Sequence, residues 1–205
     1  MPLEEIELPM DLDAELPAKI DDWLAAQSER IQRFQDRWDR APIEQFVASD
    51  FALVFHTLTW IRRQPLLTSG NLFCEWGCGF AVVSCLADQL GWESIGIEAE
   101  ADLIAQARQT VATYQANVDL WHGNFLPPGA TELSADPCLP SLGHPEPCAY
   151  SDQDLEIDDF NLIFAYPWPG EGDFLESVFD EYAALGACML SFRGPYELRL
   201  VRKNQ

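Results

Sequence analysis

Apolar residues recur at helical spacing in the first part of the chain. They stand three, four or seven positions apart on a polar background, which predicts an amphipathic helix ending near Arg40, before Ala41 and Pro42. The apolar positions are Ile20, Leu24, Ile31, Phe34 and Trp38, with Trp23 widening the stripe. We interpret this stripe as core packing against the domain that follows, not as a partner interface.

A second helix is predicted shortly afterwards, with Ser49 as its N-cap. Its buried side consists of Phe51, Val54, Phe55, Leu58 and Ile61. The histidine on this helix, His56, is interpreted as structural, since it lies among apolar neighbours.

From Leu72 the pattern changes to short apolar runs that alternate with helical segments. The runs LFCEW, SIGIE and VDLWHG are separated by the helix AVVSCLADQLG and by a helix over 101–115. FNLIFAYPWP, a helix around FLESVFDEYAALG and the strand ACMLSF continue this order, with Gly186 expected at the helix C-terminus. The alternation predicts an α/β fold with a doubly wound, mostly parallel sheet, and PYELRLVRK predicts an antiparallel terminal strand.

Four regions follow from these patterns. Residues 1–16 are expected to be a flexible acidic N-terminus, 17–65 to form helices packed on the main domain, and 66–205 to form a Rossmann-like domain. A Pro-rich, acidic insert at about 126–159 interrupts that domain, with six prolines and no regular periodicity. Long loops of this kind are often binding loops or covers over a site, and often simply irregular.

The charge balance restricts the partners. With 12 Lys and Arg against 34 Asp and Glu, the net charge is −22, which argues against nucleic-acid or membrane binding. Neutral or cationic small molecules, or a basic protein, remain as partners. An acidic N-terminus unlike a secretory signal, and no apolar run long enough for a bilayer, predict a cytoplasmic protein.

The cysteines predict neither a disulfide framework nor a metal site. Three of the six fall in apolar runs, where a free thiol behaves as a small hydrophobe. Cys138, His144 and Cys148 fit no zinc arrangement, because the spacing is wrong and a fourth ligand is not evident. His122 is likewise interpreted as structural.

A glycine turn followed by an acidic strand end carries the chemical signal. Gly77 and Gly79 stand where a strand turns sharply into a helix, and a side chain there would block a ligand from the backbone. Nineteen residues after Gly79, Glu98 ends the next strand, where a carboxylate can accept both hydroxyls of a ribose. This order predicts an adenosyl cofactor.

Glu75 indicates which adenosyl cofactor is meant. A diphosphate in this turn would meet its carboxylate, whereas a cofactor with an ammonium and a sulfonium would be attracted to it. The third glycine of dinucleotide sites is also missing, with Val82 in its place. Both facts favour S-adenosylmethionine over NAD.

The ordered set of motifs resembles the class I S-adenosylmethionine-dependent methyltransferases. FCEWGCGFA resembles their first motif, GIEAEADLIAQAR their second strand and helix, GNF at 123–125 their third-strand element, and FNLIFAYPWPG their fourth-strand motif. The likeness covers about 72–125 and 160–193.

The resemblance implies a role for each matching residue. The methionine portion would lie among Glu75, Trp76, Gly77, Cys78 and Gly79. Glu98 would hold the ribose, Ala99 and Asn124 would lie at the adenine, and Phe125 would stack on it. Tyr166 and Pro167 would line the transfer site, with Trp168 and Glu171 as further acceptor-side candidates.

The sequence departs from the family at both the cofactor side and the acceptor side of the site. Ala81 replaces a third glycine, and Asn124 replaces the commoner Asp. AYPWP differs from the Asn/Asp-Pro-Pro-aromatic motif of amino-group methyltransferases, so the acceptor, small molecule or protein, stays unidentified. The resemblance implies methyl transfer by direct displacement. A non-catalytic S-adenosylmethionine-binding protein and an NAD-dependent oxidoreductase remain as alternatives.

Overall fold

The protein's computed structural model describes residues 3–9, 15–37, 47–66, 70–194 and 197–204. These residues form one mostly parallel sheet with helices on both faces. The strands are β1 Glu4–Ile6, β2 Leu72–Trp76, β3 Glu93–Glu98, β4 Val118–His122, β5 Leu162–Ala165, β6 Cys188–Gly194 and β7 Glu197–Arg202. The helices are α1 Ala18–Gln35, α2 Phe51–Arg63, α3 Val82–Gln89, α4 Ala101–Tyr114 and α5 Gly172–Tyr182.

The strand order is β1-β7-β6-β5-β2-β3-β4. Strands β2 to β6 pair in parallel with one another, while β7 is antiparallel to both β6 and β1. The predicted doubly wound sheet with an antiparallel terminal strand is thus confirmed. The chain reverses its direction of winding between β2 and β5, and open α/β sheets bind ligands at the carboxyl ends of such a pair.

Alternation along the strands divides the core between the two faces of the sheet. Phe73, Leu162 and Phe164 pack with α2 and α3 on one face. Cys74 and Ile163 point to the other face, where α5 and the Pro-rich insert cover them. Helix α1 packs its predicted apolar stripe against α2 and α3. Helix α2 in turn packs on the sheet through Val54, Leu58 and Ile61.

Some predicted boundaries differ from the structure. Helix α1 ends at Gln35, and the predicted end near Arg40, with Trp38, lies outside the described residues. Asp50, not Ser49, caps α2, because its carboxylate is the group that accepts the Leu53 N–H, at 3.1 Å. Helix α5 ends at Tyr182, so Gly186, with φ of 87°, serves the turn into β6 and not the helix end.

Part of the N-terminus expected to be flexible forms the edge strand β1. Its residues pair with β7 in register from Glu4 opposite Arg202 to Ile6 opposite Leu200. The Arg199 guanidinium also donates to the Glu5 carboxylate at 2.6 Å. An acidic segment is ordered here because β7 offers both unpaired backbone groups and a basic side chain.

The insert at 126–159 carries short 3-10 helices, at Ala130–Leu133, Pro140–Leu142, Ala149–Asp152 and Ile157–Asp159. Ala130, Tyr150 and Ile157 are buried against the sheet and α5. The insert docks on the end of β4, where Asn124 and Cys148 form a parallel bridge. A Cβ at Gly123 would lie 2.8 Å from the Pro147 carbonyl oxygen, so only glycine lets the insert approach this closely.

Candidate functional site

The glycine turn lies at the carboxyl end of β2, where the chain reverses its winding. Gly77, Gly79 and Ala81 all have positive φ, of 70°, 53° and 55°. The Cys78 N–H donates to the Ile97 carbonyl at 2.8 Å, which fixes the turn to the neighbouring strand. The turn therefore leads into α3 with its backbone held close to the end of β3.

Glu98 joins the end of β3 to the glycine turn. One of its carboxylate oxygens accepts the Gly79 N–H at 2.7 Å, and the other accepts the Glu100 N–H at 2.9 Å. Burial raises the pKa of Glu98 above its ordinary value, although these hydrogen bonds oppose the shift. Each carboxylate oxygen has a second lone pair, so Glu98 can accept further hydrogen bonds from a ligand.

Glu75 is buried in β2 and reaches the first turn of α3. Its Oε2 accepts both the backbone N–H and the hydroxyl of Ser84, at 2.7 and 2.5 Å. Burial raises the pKa of the Glu75 carboxyl from 4.5 to about 8, and the nearby Glu98 adds to that rise. A ligand cation beside Glu75 would favour its ionised form and draw this pKa back down.

An open cleft lies over these groups, with an empty volume of about 920 Å³ that includes open solvent. Most of the predicted site residues line it together: Glu75, Trp76, Gly77, Cys78, Gly79, Glu98, Phe125, Tyr166, Trp168 and Glu171. The rings of Trp76 and Phe125 are stacked, with centroids 5.2 Å apart and planes inclined by 10°. Residues that are distant in sequence thus share one cavity.

Three predicted residues lie elsewhere. The Asn124 side chain faces the insert, because its Oδ1 accepts the Leu126 N–H at 2.9 Å and its Nδ2 donates to the Ser141 carbonyl at 3.3 Å. The Ala99 carbonyl contacts His122 Nε2 at 2.9 Å, and neither Ala99 nor Asn124 lines the cleft. Pro167 lines a neighbouring cavity instead.

The cleft also has walls that sequence reasoning did not identify. The insert contributes Ser141 and His144, and the N-terminal helices contribute Ile31 and Phe51. The sequence marks His144 only as a possible metal ligand, whereas in the structure its Nδ1 lies 3.8 Å from Glu100 Oε1. No periodic pattern marks the insert, so the sequence offers no signal that would have placed these residues at the cleft.

The electrostatics of the cleft favour a positively charged ligand group. Among the described residues that line it, four are glutamates, at 75, 98, 100 and 171, and none is lysine or arginine. A diphosphate would find no counter-charge on these walls, whereas an ammonium or sulfonium would. Throughout the described ranges, the cleft included, no cluster of His, Cys, Asp or Glu is arranged to hold a metal ion.

A second cavity adjoins the cleft beyond the end of β5. It has an empty volume of about 950 Å³, and Tyr166 and Trp168 line both cavities. Phe192 and Arg193 from the end of β6 form its other wall, with the Tyr166 and Phe192 rings 4.7 Å apart. Arg193 forms an ion pair with Glu176 and lies 3.8 Å from Asp173. These carboxylates balance its positive charge, so this wall presents mainly aromatic side chains.

Comparison with known proteins gives partial sequence matches. No protein-family model matches the chain. The 23S rRNA (uracil(1939)-C(5))-methyltransferase RlmD of Shewanella sp. strain MR-4 is 30% identical over 89 residues, which cover 43% of this chain and 18% of that protein. RlmD of strain MR-7 is 27% identical over 119 residues, covering 53% of this chain and 25% of that protein. The chain thus matches a quarter or less of the length of these relatives.

Solved structures match more of the chain. A methyltransferase from Geobacter sulfurreducens has a TM-score of 0.55 at 14% identity and covers 95% of this chain and 94% of its own. RsmC, a 16S rRNA methyltransferase from T. thermophilus solved with AdoMet and guanosine, has a TM-score of 0.52 at 10% identity, covering 80% and 45%. The likeness is one of fold, and it confirms the predicted Rossmann-like fold of class I methyltransferases.

The described residues include no helix long and apolar enough to cross a membrane.

Proposed function

We propose that this chain binds S-adenosylmethionine in the acidic cleft and directs its methyl group to an acceptor bound beside Tyr166 and Trp168. The observation that carries the proposal is the pair of buried carboxylates, Glu75 and Glu98, on either side of the glycine turn. S-adenosylmethionine complements this pair, because its ribose hydroxyls can donate to one carboxylate and its ammonium can pair with the other.

The donor set fits that cofactor. Glu98 keeps acceptor capacity for ribose hydroxyls, since a carboxylate oxygen that accepts one backbone N–H still has a second lone pair. Glu75 offers a carboxylate to an ammonium, and the backbone of Gly77 to Gly79 is open to the cleft. A Cβ at Gly77 would meet no atom within 4 Å, so the space above the turn is available to a ligand.

S-adenosylmethionine would supply a methyl group on a sulfonium, which an acceptor lone pair can take directly as the C–S bond breaks and S-adenosylhomocysteine leaves. The protein then has to align the two molecules and exclude water. Tyr166 and Trp168 suit this role because they stand between the cleft and the second cavity. Their aromatic faces also stabilise nearby positive charge, by about 0.5–2 kcal/mol.

The possible acceptors include one class, RNA, that the net charge had argued against. The net charge of −22 argued against nucleic acid, yet both RlmD relatives and RsmC are rRNA methyltransferases. An RNA acceptor therefore stays open beside a small molecule or a protein. The acidic and aromatic walls favour an acceptor that is neutral or cationic at its reacting end.

Calorimetry with S-adenosylhomocysteine tests the cofactor, and binding at micromolar concentration is expected. If this compound neither binds nor raises the melting temperature, the proposal fails. Transfer of tritiated methyl from S-adenosylmethionine to fractionated cell extract then identifies the acceptor class. Parallel fractions treated with ribonuclease or with protease separate RNA, protein and small-molecule acceptors, and binding without transfer to any fraction would favour a non-catalytic binding protein.

A further inference from the structure

The carboxylate of Glu171 connects two segments that border the cleft. Glu171 is only 2% exposed, immediately before α5. Its Oε1 accepts both the backbone N–H and the hydroxyl of Ser141, each at 2.7 Å. Its Oε2 accepts the backbone N–H of Trp168, at an N–O distance of 3.4 Å. One buried carboxylate thus receives three donors from two different loops.

On one side Glu171 fixes the turn that carries the acceptor-side aromatic residues. The Glu171 N–H donates to the Trp168 carbonyl at 2.9 Å, and the Trp168 N–H returns to the Glu171 carboxylate. The turn from Trp168 to Glu171 is therefore closed by both the backbone and the side chain of the same residue. This places Trp168 where both cavities meet.

On the other side Glu171 anchors the insert thirty residues earlier in the chain. Ser141 lies in a 3-10 helix of the insert, and its carbonyl accepts the Asn124 amide at 3.3 Å. Three residues later, His144 forms part of the cleft wall beside Glu100. Holding Ser141 therefore also holds His144 at the cofactor side of the cleft.

We infer that Glu171 is a positioning residue that binds the insert to the acceptor turn, so that the segment from Ser141 to His144 covers the bound cofactor. Glu171 acts through Ser141 and Trp168 and does not have to touch the acceptor. Charge-assisted hydrogen bonds to a buried carboxylate are among the stronger ones in proteins, which suits an anchor for an irregular segment. The inference rests on the proposed cofactor site.

Glu171→Gln and Ser141→Ala test this anchor. Glutamine keeps the volume of Glu171 but presents an N–H₂ group to the Trp168 or Ser141 donors, and alanine removes the Ser141 hydroxyl. Both variants should speed the dissociation of S-adenosylhomocysteine about tenfold, as expected for the loss of a charge-assisted hydrogen bond. Stopped-flow measurement gives the dissociation rate, and the association rate should change much less.

Hydrogen exchange gives a readout that a general loss of stability does not imitate. The Ser141 N–H is itself bonded to Glu171, so exchange in residues 139–146 should rise in Glu171→Gln while exchange in β2 and β5 stays at the wild-type rate. Two controls accompany it. Glu132→Gln removes an exposed charge from the insert, and Ile61→Val weakens the core at α2, away from the cleft.

The outcomes separate the two proposals. Faster dissociation and local exchange in both anchor variants, with neither control changed, support the anchor. The anchor is overturned if S-adenosylhomocysteine dissociates from Glu171→Gln at the wild-type rate. It is also overturned if Ile61→Val, with the same melting temperature as Glu171→Gln, shows the same faster dissociation. If the wild-type protein does not bind S-adenosylhomocysteine, the proposed function fails, and the role of Glu171 in covering the cofactor fails with it. Hydrogen exchange then still shows whether Glu171 holds the insert.

Discussion

Glu75 on β2 caps helix α3 by accepting the Ser84 backbone N–H, at 2.7 Å, and the Ser84 hydroxyl. The residue before the helix, Ala81, has no side chain that could do so. A carboxylate near a helix N-terminus is stabilised by the unpaired N–H groups there. Glu75 therefore has a structural role in addition to the cofactor role proposed for it, and the two roles predict different effects of substitution.

The burial of Glu75, which raises its pKa against the opposing hydrogen bonds from Ser84, predicts a pH-dependent stability. Its pKa is about 8 in the folded protein against an ordinary 4.5. Well below pH 4.5 the carboxyl is protonated in both the folded and the unfolded state. As the pH rises towards 8 the unfolded chain ionises first, so the free energy of unfolding falls by up to about 1.4 kcal/mol per pH unit.

Glu75→Gln should abolish this dependence, because glutamine does not titrate. Relative to the variant, the wild-type protein should lose stability steadily between pH 5 and 8, measured by urea unfolding at several pH values. Glu93→Gln, an exposed substitution at the start of β3, should give a profile parallel to the wild type. Parallel profiles for Glu75→Gln would contradict the raised pKa.

Glu98 should matter to ligand affinity more than to folding. Glu98→Ala is expected to weaken binding of S-adenosylhomocysteine about tenfold or more, as the loss of charge-assisted hydrogen bonds implies. Glu98→Gln should be intermediate, since its carbonyl oxygen still accepts one donor. Calorimetry measures the affinity, and Asp119→Asn, on the exposed side of β4, serves as the charge control. An unchanged affinity in a folded Glu98→Ala protein would remove Glu98 from the proposed site.

Gly96 keeps β3 close to the glycine turn. A Cβ there would lie 2.9 Å from the Cys78 sulfur and 3.0 Å from the Ser84 hydroxyl. Gly96→Ala should therefore destabilise the protein by about 1–3 kcal/mol, as overpacking in a core does. Gly143→Ala is the matched control, because its Cβ would meet nothing closer than 3.4 Å and its φ is −81°. Thermal unfolding compares the two variants, and Gly96→Ala should have the lower melting temperature. Equal melting temperatures would show that the residues around β3 can shift to accommodate the added methyl group.

Ala81 occupies a left-handed conformation, with φ of 55°. For a residue with a Cβ this costs roughly 1–2 kcal/mol, but the buried Cβ gains about 0.8 kcal/mol by packing. Ala81→Gly should therefore change the free energy of unfolding by less than about 1 kcal/mol. Ala81→Val should destabilise by more than that, since a β-branched side chain fits this conformation poorly. Urea unfolding of the pair checks the order, and a valine variant as stable as the glycine variant would contradict it.

The order of helices and strands followed from the sequence because each element carries its own periodicity. The glycine turn and Glu98 could be brought together for a related reason. Parallel strands end at the same edge of a sheet, so residues at the ends of β2 and β3 must meet, and the Gly79 N–H does donate to Glu98 at 2.7 Å. Local pattern and the rule of parallel pairing were sufficient for this half of the site.

Only the tertiary structure decided how the insert meets the cleft. The contact between Ser141 and Glu171 joins two irregular segments, and nothing in their composition specifies which hydroxyl reaches which carboxylate. The sequence also could not place the side chain of Asn124. The family motif implied a contact with the adenine, but the amide forms hydrogen bonds within the insert. Short-range pattern determined the sheet and its glycine turn, whereas the walls of the cleft depend on long-range packing that no periodicity records.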